Sequence, residues 1–178
     1  MKNRVAFLFL FAALIASPLI QAQTPATPID ARTLKTDADF AKYEGKVKEY
    51  VSWYIKTAVD KDTTLHKQIA GFLVAWITGA PNVSVAIGGV AMPIINEKND
   101  KYNTDLLVAY MGGITVYELN NPKDKDETNI QIAGVQAVLE LAKNNSTLLA
   151  NSEAVKKYKG MDNAALTKWV KETLASSK

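Results

Sequence analysis

The sequence predicts an all-α protein with six or seven helices. Apolar residues recur at three- and four-residue steps through most of the 178-residue chain, which is the periodicity of an α-helix. Capping residues and Gly or Pro breakers separate these runs. Only residues 83–87 alternate as a strand would, and no second clear strand exists to pair with them. We therefore expect an extended entry followed by a short helix in residues 83–95.

The first 22 residues have the order of a secretory signal peptide. Lys2 and Arg4 precede an uncharged apolar run over residues 5–15, and a short segment of small and neutral residues ends at Ala22. A transmembrane helix needs about 20 apolar residues, so this run is too short to be an anchor. We expect cleavage after Ala22 and export of the chain to the periplasm or the cell surface.

Two further segments follow the predicted signal peptide. Residues 23–36 contain Pro25 and Pro28 but no apolar period, so they are expected to form a flexible leader. Residues 37–178 form a single helical domain, and they contain no run long and apolar enough for a transmembrane segment.

The composition excludes several classes of function. The chain has no Cys and one His, so it has no disulfide, no thiol nucleophile and no site that needs two imidazoles. Loss of Lys2 and Arg4 with the signal peptide lowers the formal net charge from +3 to +1. Because the remaining charges of both signs are interspersed, a nucleic-acid partner is not expected. No metal and no cofactor is predicted.

The first helix is predicted from Thr36, whose hydroxyl can cap a helix while Asp39 completes a capping box. It continues for about 23 residues as an amphipathic helix. Its apolar face consists of Phe40, Tyr43, Val47, Tyr50, Val51, Tyr54 and Ala58.

Two helices are predicted to be central. The second helix begins with Thr63 or Thr64 as its cap and ends near Gly79, and residues 72–77 are apolar on every side. The fourth segment, residues 103–120, is also apolar nearly all round. A helix without a polar face is typical of the interior of a bundle.

Three more helices complete the domain. Helical spacing resumes from Ile130 to Leu141, and a short helix follows that ends at Gly160, expected in a left-handed cap conformation. Asp162 is the predicted cap of the last helix, which includes Leu174.

A short motif occurs twice at a spacing of 34 residues. Residues 72–79 align with residues 106–113, and both segments end in a small residue and Gly. This spacing equals the length of a tetratricopeptide-type helix–turn–helix repeat, so an α-solenoid remains an alternative to a bundle. The glycine pairs 88–89 and 112–113 lack the Lys-Ser or Lys-Thr of a phosphate loop, and close helix packing accounts for them better.

An aromatic cluster on the first helix is the first candidate binding site. Tyr50, Trp53 and Tyr54 lie within two turns, and at 100° per residue Trp53 falls about 60° from Tyr50, on the rim of the apolar stripe. A Trp on a rim can stack on a sugar ring or accept a partner's side chain, or it can cover the edge of the core.

The second candidate is a pocket between the helices that contain His66 and Tyr110. A lone imidazole in the first turn of a helix is more often a packed residue than a ligand or catalytic group. The acidic loop over residues 123–128 partly matches a calcium loop, but Asn129 replaces the Gly and Val135 replaces the Glu of that pattern. A solvated charge run is the favoured interpretation of this loop.

Two blocks carry a resemblance to known proteins. They resemble a family of exported helical proteins of unknown function from Bacteroidetes-type bacteria, and they are residues 72–85 and residues 105–121. The second block contains Tyr117 and ends at the Asn of an Asn-Pro pair. The resemblance implies a periplasmic or surface location and an all-α fold, and it implies no activity or site residue.

The absence of catalytic motifs favours a binding protein over an enzyme. The first hypothesis is an interaction domain of the cell envelope that binds a partner protein or another envelope component through Tyr50, Trp53 and Tyr54. The alternative is a small-molecule or glycan-binding pocket, conceivably hydrolytic, beside His66 and Tyr110. The sequence does not define the oligomeric state.

Overall fold

The computed structural model describes residues 28–98 and 100–176, which contain seven α-helices, three short 3-10 helices and no strand. The all-α prediction is confirmed. The predicted signal peptide and residues 23–27 of the predicted leader lie outside the described residues. The α-helices are α1 Asp37–Lys56, α2 Thr63–Gly79, α3 Met92–Ile95, α4 Asn103–Asn120, α5 Glu127–Asn144, α6 Glu153–Lys159 and α7 Asn163–Ser176.

Helix α1 begins as predicted, whereas α2 is capped by a different residue. The Thr36 hydroxyl accepts from the Asp39 N–H, and the Asp39 carboxylate accepts from the Thr36 N–H, so the capping box is confirmed. The cap of α2 is Asp62, which adopts φ 48° and accepts from the N–H of Leu65. Asp tolerates this left-handed conformation better than β-branched Thr does, which explains why the cap lies one residue earlier.

Structure begins before the predicted boundary at Thr36. Residues Ala31–Thr33 form a 3-10 helix, and Asp30 caps it by accepting from the N–H of Arg32. Ile29, Ala31 and Leu34 pack against the hydrophobic cluster formed mainly by α1 and α2. These three apolar side chains hold residues 28–36 against the helices. The segment has no helical periodicity, so its sequence pattern did not predict this packing.

Helix α4 is the centre of the molecule. It packs against α1, α2, α3 and α5, and it contributes side chains to both hydrophobic clusters, such as Tyr110 to one and Met111 to the other. Its predicted central position is confirmed. Helix α2 is less central than predicted, because Val74 in the middle of its apolar run is 38% exposed.

Close helix packing accounts for one predicted glycine pair. A Cβ on Gly113 would lie 2.5 Å from the Ala137 Cβ and 2.6 Å from the Ala133 carbonyl oxygen, so the contact between α4 and α5 requires a glycine. A Cβ on Gly112 would meet Val51 of α1 at 3.0 Å. Gly88 has open space around it, so the packing interpretation is wrong at that position.

The helices form a bundle in which distant segments meet. Helix α1 packs against α5 as well as against α2 and α4. A strict solenoid places each repeat against its neighbours in sequence, so this contact favours the bundle description. No helix within the described residues combines the length and the apolar character needed to cross a membrane.

Helix α6 is joined to the linker after α3 by a buried polar cluster. Glu97, which is 8% exposed, accepts from the Ser152 hydroxyl at 2.6 Å and from the Ala154 N–H at 3.1 Å. Gly160 ends the helix in a right-handed conformation, with φ −73° and ψ −5°, so the predicted left-handed cap is wrong. Its N–H closes the last turn on the Lys156 carbonyl, and this bond requires no left-handed residue.

Candidate functional site

The aromatic cluster of α1 is buried instead of forming a surface. Tyr50 and Tyr54 are each 1% exposed and Trp53 is 5% exposed. Trp53 covers the edge of the core, which is one of the two predicted roles, because α2 lies over that edge of α1 and places His66 with its ring centroid 5.6 Å from that of Trp53. Tyr50 instead packs edge-on against Phe72.

A cavity of about 510 Å³ opens between α1, α2 and the start of α4. Its volume lies within the range of about 300–1,000 Å³ that small-molecule sites occupy. The cavity is lined by side chains from three helices and from the two segments that precede α2 and α4. They are Tyr54, Val59, Asp60, Thr63, His66, Lys67, Ala70, Lys101, Tyr102, Thr104 and Asp105.

His66 forms part of the inner wall of this cavity. It is 3% exposed, and its ring stacks on Tyr54 with the centroids 3.9 Å apart. Nε2 lies 3.4 Å from Asp105 Oδ1, yet neither ring nitrogen has a hydrogen-bond partner among the described residues. Buried polar groups are nearly always hydrogen-bonded, so the two His66 nitrogens lack the partners that buried groups usually have.

Asp105 connects His66 to Tyr54. The Tyr54 hydroxyl donates to Asp105 Oδ1 at 2.6 Å, and the Asp105 side chain remains 21% exposed. Burial, reinforced by the Asp105 charge, raises the pKa of Tyr54 well above its ordinary value, so the phenol stays protonated and continues to donate. The carboxylate is thereby held in place while part of it still faces the cavity.

The cavity has an aromatic floor and a polar rim. Tyr54, Val59 and His66 form the buried floor. The exposed rim consists of Asp60, Thr63, Lys67, Lys101 and Thr104.

Charges on the rim are partly compensated within the protein. The Lys101 ammonium lies 4.9 Å from the centre of the Tyr102 ring. A hydrogen bond to Tyr102, with a smaller contribution from the Asp60 charge, raises the pKa of Lys101. The rim therefore offers both donors and acceptors without a strong charge of one sign.

Helix α5 fixes the turn that supplies Val59. The Asn145 side chain accepts from the Val59 N–H at 2.8 Å and donates to the Thr57 carbonyl at 3.3 Å. Asn145 is 3% exposed, so these bonds are shielded from water. The end of α5 thus positions one wall of the cavity from a distance of 86 residues along the chain.

The structure does not bring Tyr110 into this cavity. Tyr110 is fully buried, and its hydroxyl donates to the Gln131 side chain of α5. The predicted pocket beside His66 therefore exists, but the prediction that Tyr110 shares it is wrong. Tyr110 lies five residues after Asp105, on a part of α4 that faces α5, where a Cβ on Gly134 would touch its ring.

The loop over residues 123–128 uses its acidic side chains for local hydrogen bonds. Asp124 accepts from the Tyr117 hydroxyl at 2.5 Å, from the Asp126 N–H at 2.9 Å and from the Asn129 amide at 3.1 Å. Within residues 28–98 and 100–176, no group of three or more His, Asp or Glu side chains is placed to hold a metal ion.

Sequence reasoning did not identify Asp105 as a site residue. The residue lies in the first turn of α4, where an acidic side chain is common because it interacts favourably with the helix dipole. Its contact with Tyr54 spans 51 residues, so no local spacing reveals it. Tyr54 and His66 belong to two different predicted sites, and the structure places both in one wall of the cavity.

No protein-family model matches this chain, and no curated protein or solved structure shows significant similarity to it.

Proposed function

We propose that the protein binds a small molecule in the cavity between α1, α2 and α4. The observation that supports this proposal is the buried His66 in the cavity wall, which has no hydrogen-bond partner among the described residues and lies beside the partly exposed carboxylate of Asp105. A ligand that hydrogen-bonds to both groups would satisfy the imidazole.

A protein partner bound through Tyr50, Trp53 and Tyr54 is less well supported. A docking surface gains affinity from large side chains that are accessible before binding. These three side chains are at most 5% exposed. We therefore favour the pocket over the aromatic face.

We also propose that the protein acts outside the cytoplasm. The support is the order of the first 22 residues, with Lys2 and Arg4 before an apolar run and a short neutral segment after it. Fractionation of cells that express the full chain, with sequencing of the mature N-terminus, would test this. A mature protein that begins near Gln23 is expected, and a cytoplasmic protein that keeps Lys2 would contradict it.

Binding can be tested with a panel of small-molecule ligands. The full chain, purified as the cell processes it, would be screened by ligand-observed NMR against monosaccharides, amino acids, aromatic amines and aromatic carboxylates. Ala70→Phe fills the cavity from α2, and we expect it to abolish any binding that the natural protein shows.

The matched control is Val74→Phe, on the same helix but exposed and outside the cavity. It should leave binding unchanged. If no compound binds, or if Ala70→Phe binds as well as Val74→Phe does, the cavity is not the binding site and the proposal fails.

A further inference from the structure

We infer that the cavity takes a neutral polyhydroxylated ring, that is, a monosaccharide or one sugar unit of a glycan. This inference rests on the proposed function and adds the chemical class of the ligand. It follows from the shape of the cavity wall, the balance of charge around it and the hydrogen-bonding groups that face it.

The wall has two chemically different levels. The buried level consists of two aromatic side chains and one aliphatic side chain, Tyr54, His66 and Val59, whereas the exposed rim carries hydroxyl, carboxylate and ammonium groups. A sugar ring has a matching division, because one face of its C–H bonds is apolar and its edge carries hydroxyls. Aromatic side chains with a polar tip suit such an amphipathic ligand.

The formal charges at the cavity cancel. Asp60 and Asp105 oppose Lys67 and Lys101. Lys101 already interacts with Tyr102 and Asp60, and Asp105 already accepts from Tyr54. A ligand with a net charge would leave one of these groups opposed to a like charge, whereas a neutral ligand leaves the balance intact.

Sugar hydroxyls also match the types of hydrogen-bonding group that are available. A hydroxyl both donates and accepts. A carboxylate can only accept, an ammonium group can only donate, and a neutral imidazole has one donor and one acceptor nitrogen. One hydroxyl near Asp105 Oδ1 would lie close to His66 Nε2 as well, because these two atoms are 3.4 Å apart.

The inference is tested by comparing ligands of the same ring size and different charge. D-glucose, D-galactose and D-mannose would be titrated into the purified full chain beside D-glucosamine, D-glucuronate and the zwitterion L-phenylalanine, with binding followed by NMR and calorimetry. We expect at least one neutral sugar to bind at least about tenfold more tightly than its charged analogues, a difference of about 1.4 kcal/mol.

Two variants tie that affinity to the cavity. Asp105→Asn removes the charge from an acceptor and should weaken binding of the neutral sugar by about tenfold, because a hydrogen bond to a charged group is about twice as strong as a neutral one. Since Asp105→Asn also affects Tyr54 and could lower the stability, Thr63→Trp provides a second test. Thr63 is exposed at the rim, and an indole there should obstruct the entrance.

Thr64→Trp is the matched control, since Thr64 is the next residue, is also exposed and does not line the cavity. It should bind the sugar as the natural protein does. Tighter binding of L-phenylalanine or a charged sugar than of every neutral sugar would overturn the inference and leave small-molecule binding intact. Absence of binding by every class in both panels would overturn the proposed function as well.

Discussion

At the scale of single residues, Tyr54 shows how far a side chain's role depends on its neighbours. Its position on the apolar face of α1 indicates burial, and the structure confirms this with an exposure of 1%. Its ring packs on His66 and its hydroxyl donates to Asp105. Each contact comes from a different helix, so Tyr54 joins α1 to both α2 and α4.

Tyr54→Phe should therefore destabilise the protein. The change removes a hydrogen bond to a carboxylate, and we expect a loss of about 1.5 kcal/mol, at the lower end of the range for charged acceptors because Asp105 stays partly solvated. Urea denaturation followed by circular dichroism measures this. Tyr43→Phe on the same helix is the control and should change stability by less than about 0.5 kcal/mol. Equal stability of the two variants would show that the Tyr54 hydroxyl contributes nothing.

Asp124 should make the stability depend on pH in acid. The hydrogen bonds from Tyr117, the Asp126 N–H and Asn129 hold the pKa of Asp124 below its ordinary value of 3.8. A depressed pKa in the folded state means stabilisation that is fully present well above pH 3.8 and is lost as the pH falls through the folded pKa. Asp124→Asn should flatten the fall in melting temperature below pH 4, which thermal denaturation across the acid range measures. An unchanged acid profile for Asp124→Asn would contradict this assignment.

At the scale of helices, glycine spacing sets how closely α4 approaches α5. Gly113 faces Ala133 and Ala137, and the Ala133 atom in contact is a backbone oxygen that cannot rotate away. In the second copy of the motif that recurs after 34 residues, the closing glycine therefore allows the close contact between α4 and α5. In the first copy, Gly79 faces the tip of the Phe40 ring, which is a softer neighbour.

Gly113→Ala should force the two helices apart. We expect a destabilisation of about 2–3 kcal/mol from overpacking, measured by thermal and urea denaturation. Gly45→Ala is the matched control, because Gly45 lies in α1 with no atom within 4 Å of the added Cβ. It should stabilise the protein by about 0.5–1 kcal/mol, since Ala has the higher helix propensity. If Gly113→Ala were as stable as Gly45→Ala, the close packing of α4 on α5 would be disproved.

At the scale of the whole molecule, buried polar side chains join segments that the sequence separates. Asn145 connects the end of α5 to the turn between α1 and α2. Glu97 connects the segment after α3 to the start of α6. These contacts define where the short and irregular segments lie, including the turn that carries Val59 into the cavity wall.

Asn145→Ala should destabilise the fold by about 1–3 kcal/mol, because the buried Val59 N–H would lose its acceptor. Hydrogen exchange at the Val59 amide should become faster in the same variant. Asn144→Ala is the control: Asn144 is exposed and its hydrogen bonds compete with water, so its loss should cost less than about 0.5 kcal/mol. Unchanged exchange at Val59 in Asn145→Ala would refute this role.

Local sequence determined the secondary structure of this protein. Helical periodicity, the Thr36 capping box and Asp162 before α7 depend on residues three or four positions apart, so they can be identified from one chain. The composition by itself excludes several chemistries, because the chain has no Cys and only one His. Asp62 and Gly160 deviated from expectation because a cap depends on backbone angles that several residue types can adopt.

Only the tertiary structure decided which side chains form the candidate site. Helical angles placed Trp53 at the edge of an apolar stripe, but whether an edge meets water depends on the neighbouring helix, and here α2 covers it. Tyr54, His66 and Asp105 come from three helices, and their proximity follows from how α1, α2 and α4 pack. Packing is determined by contacts between distant parts of the chain, and a local pattern of residues does not encode which helix lies beside which.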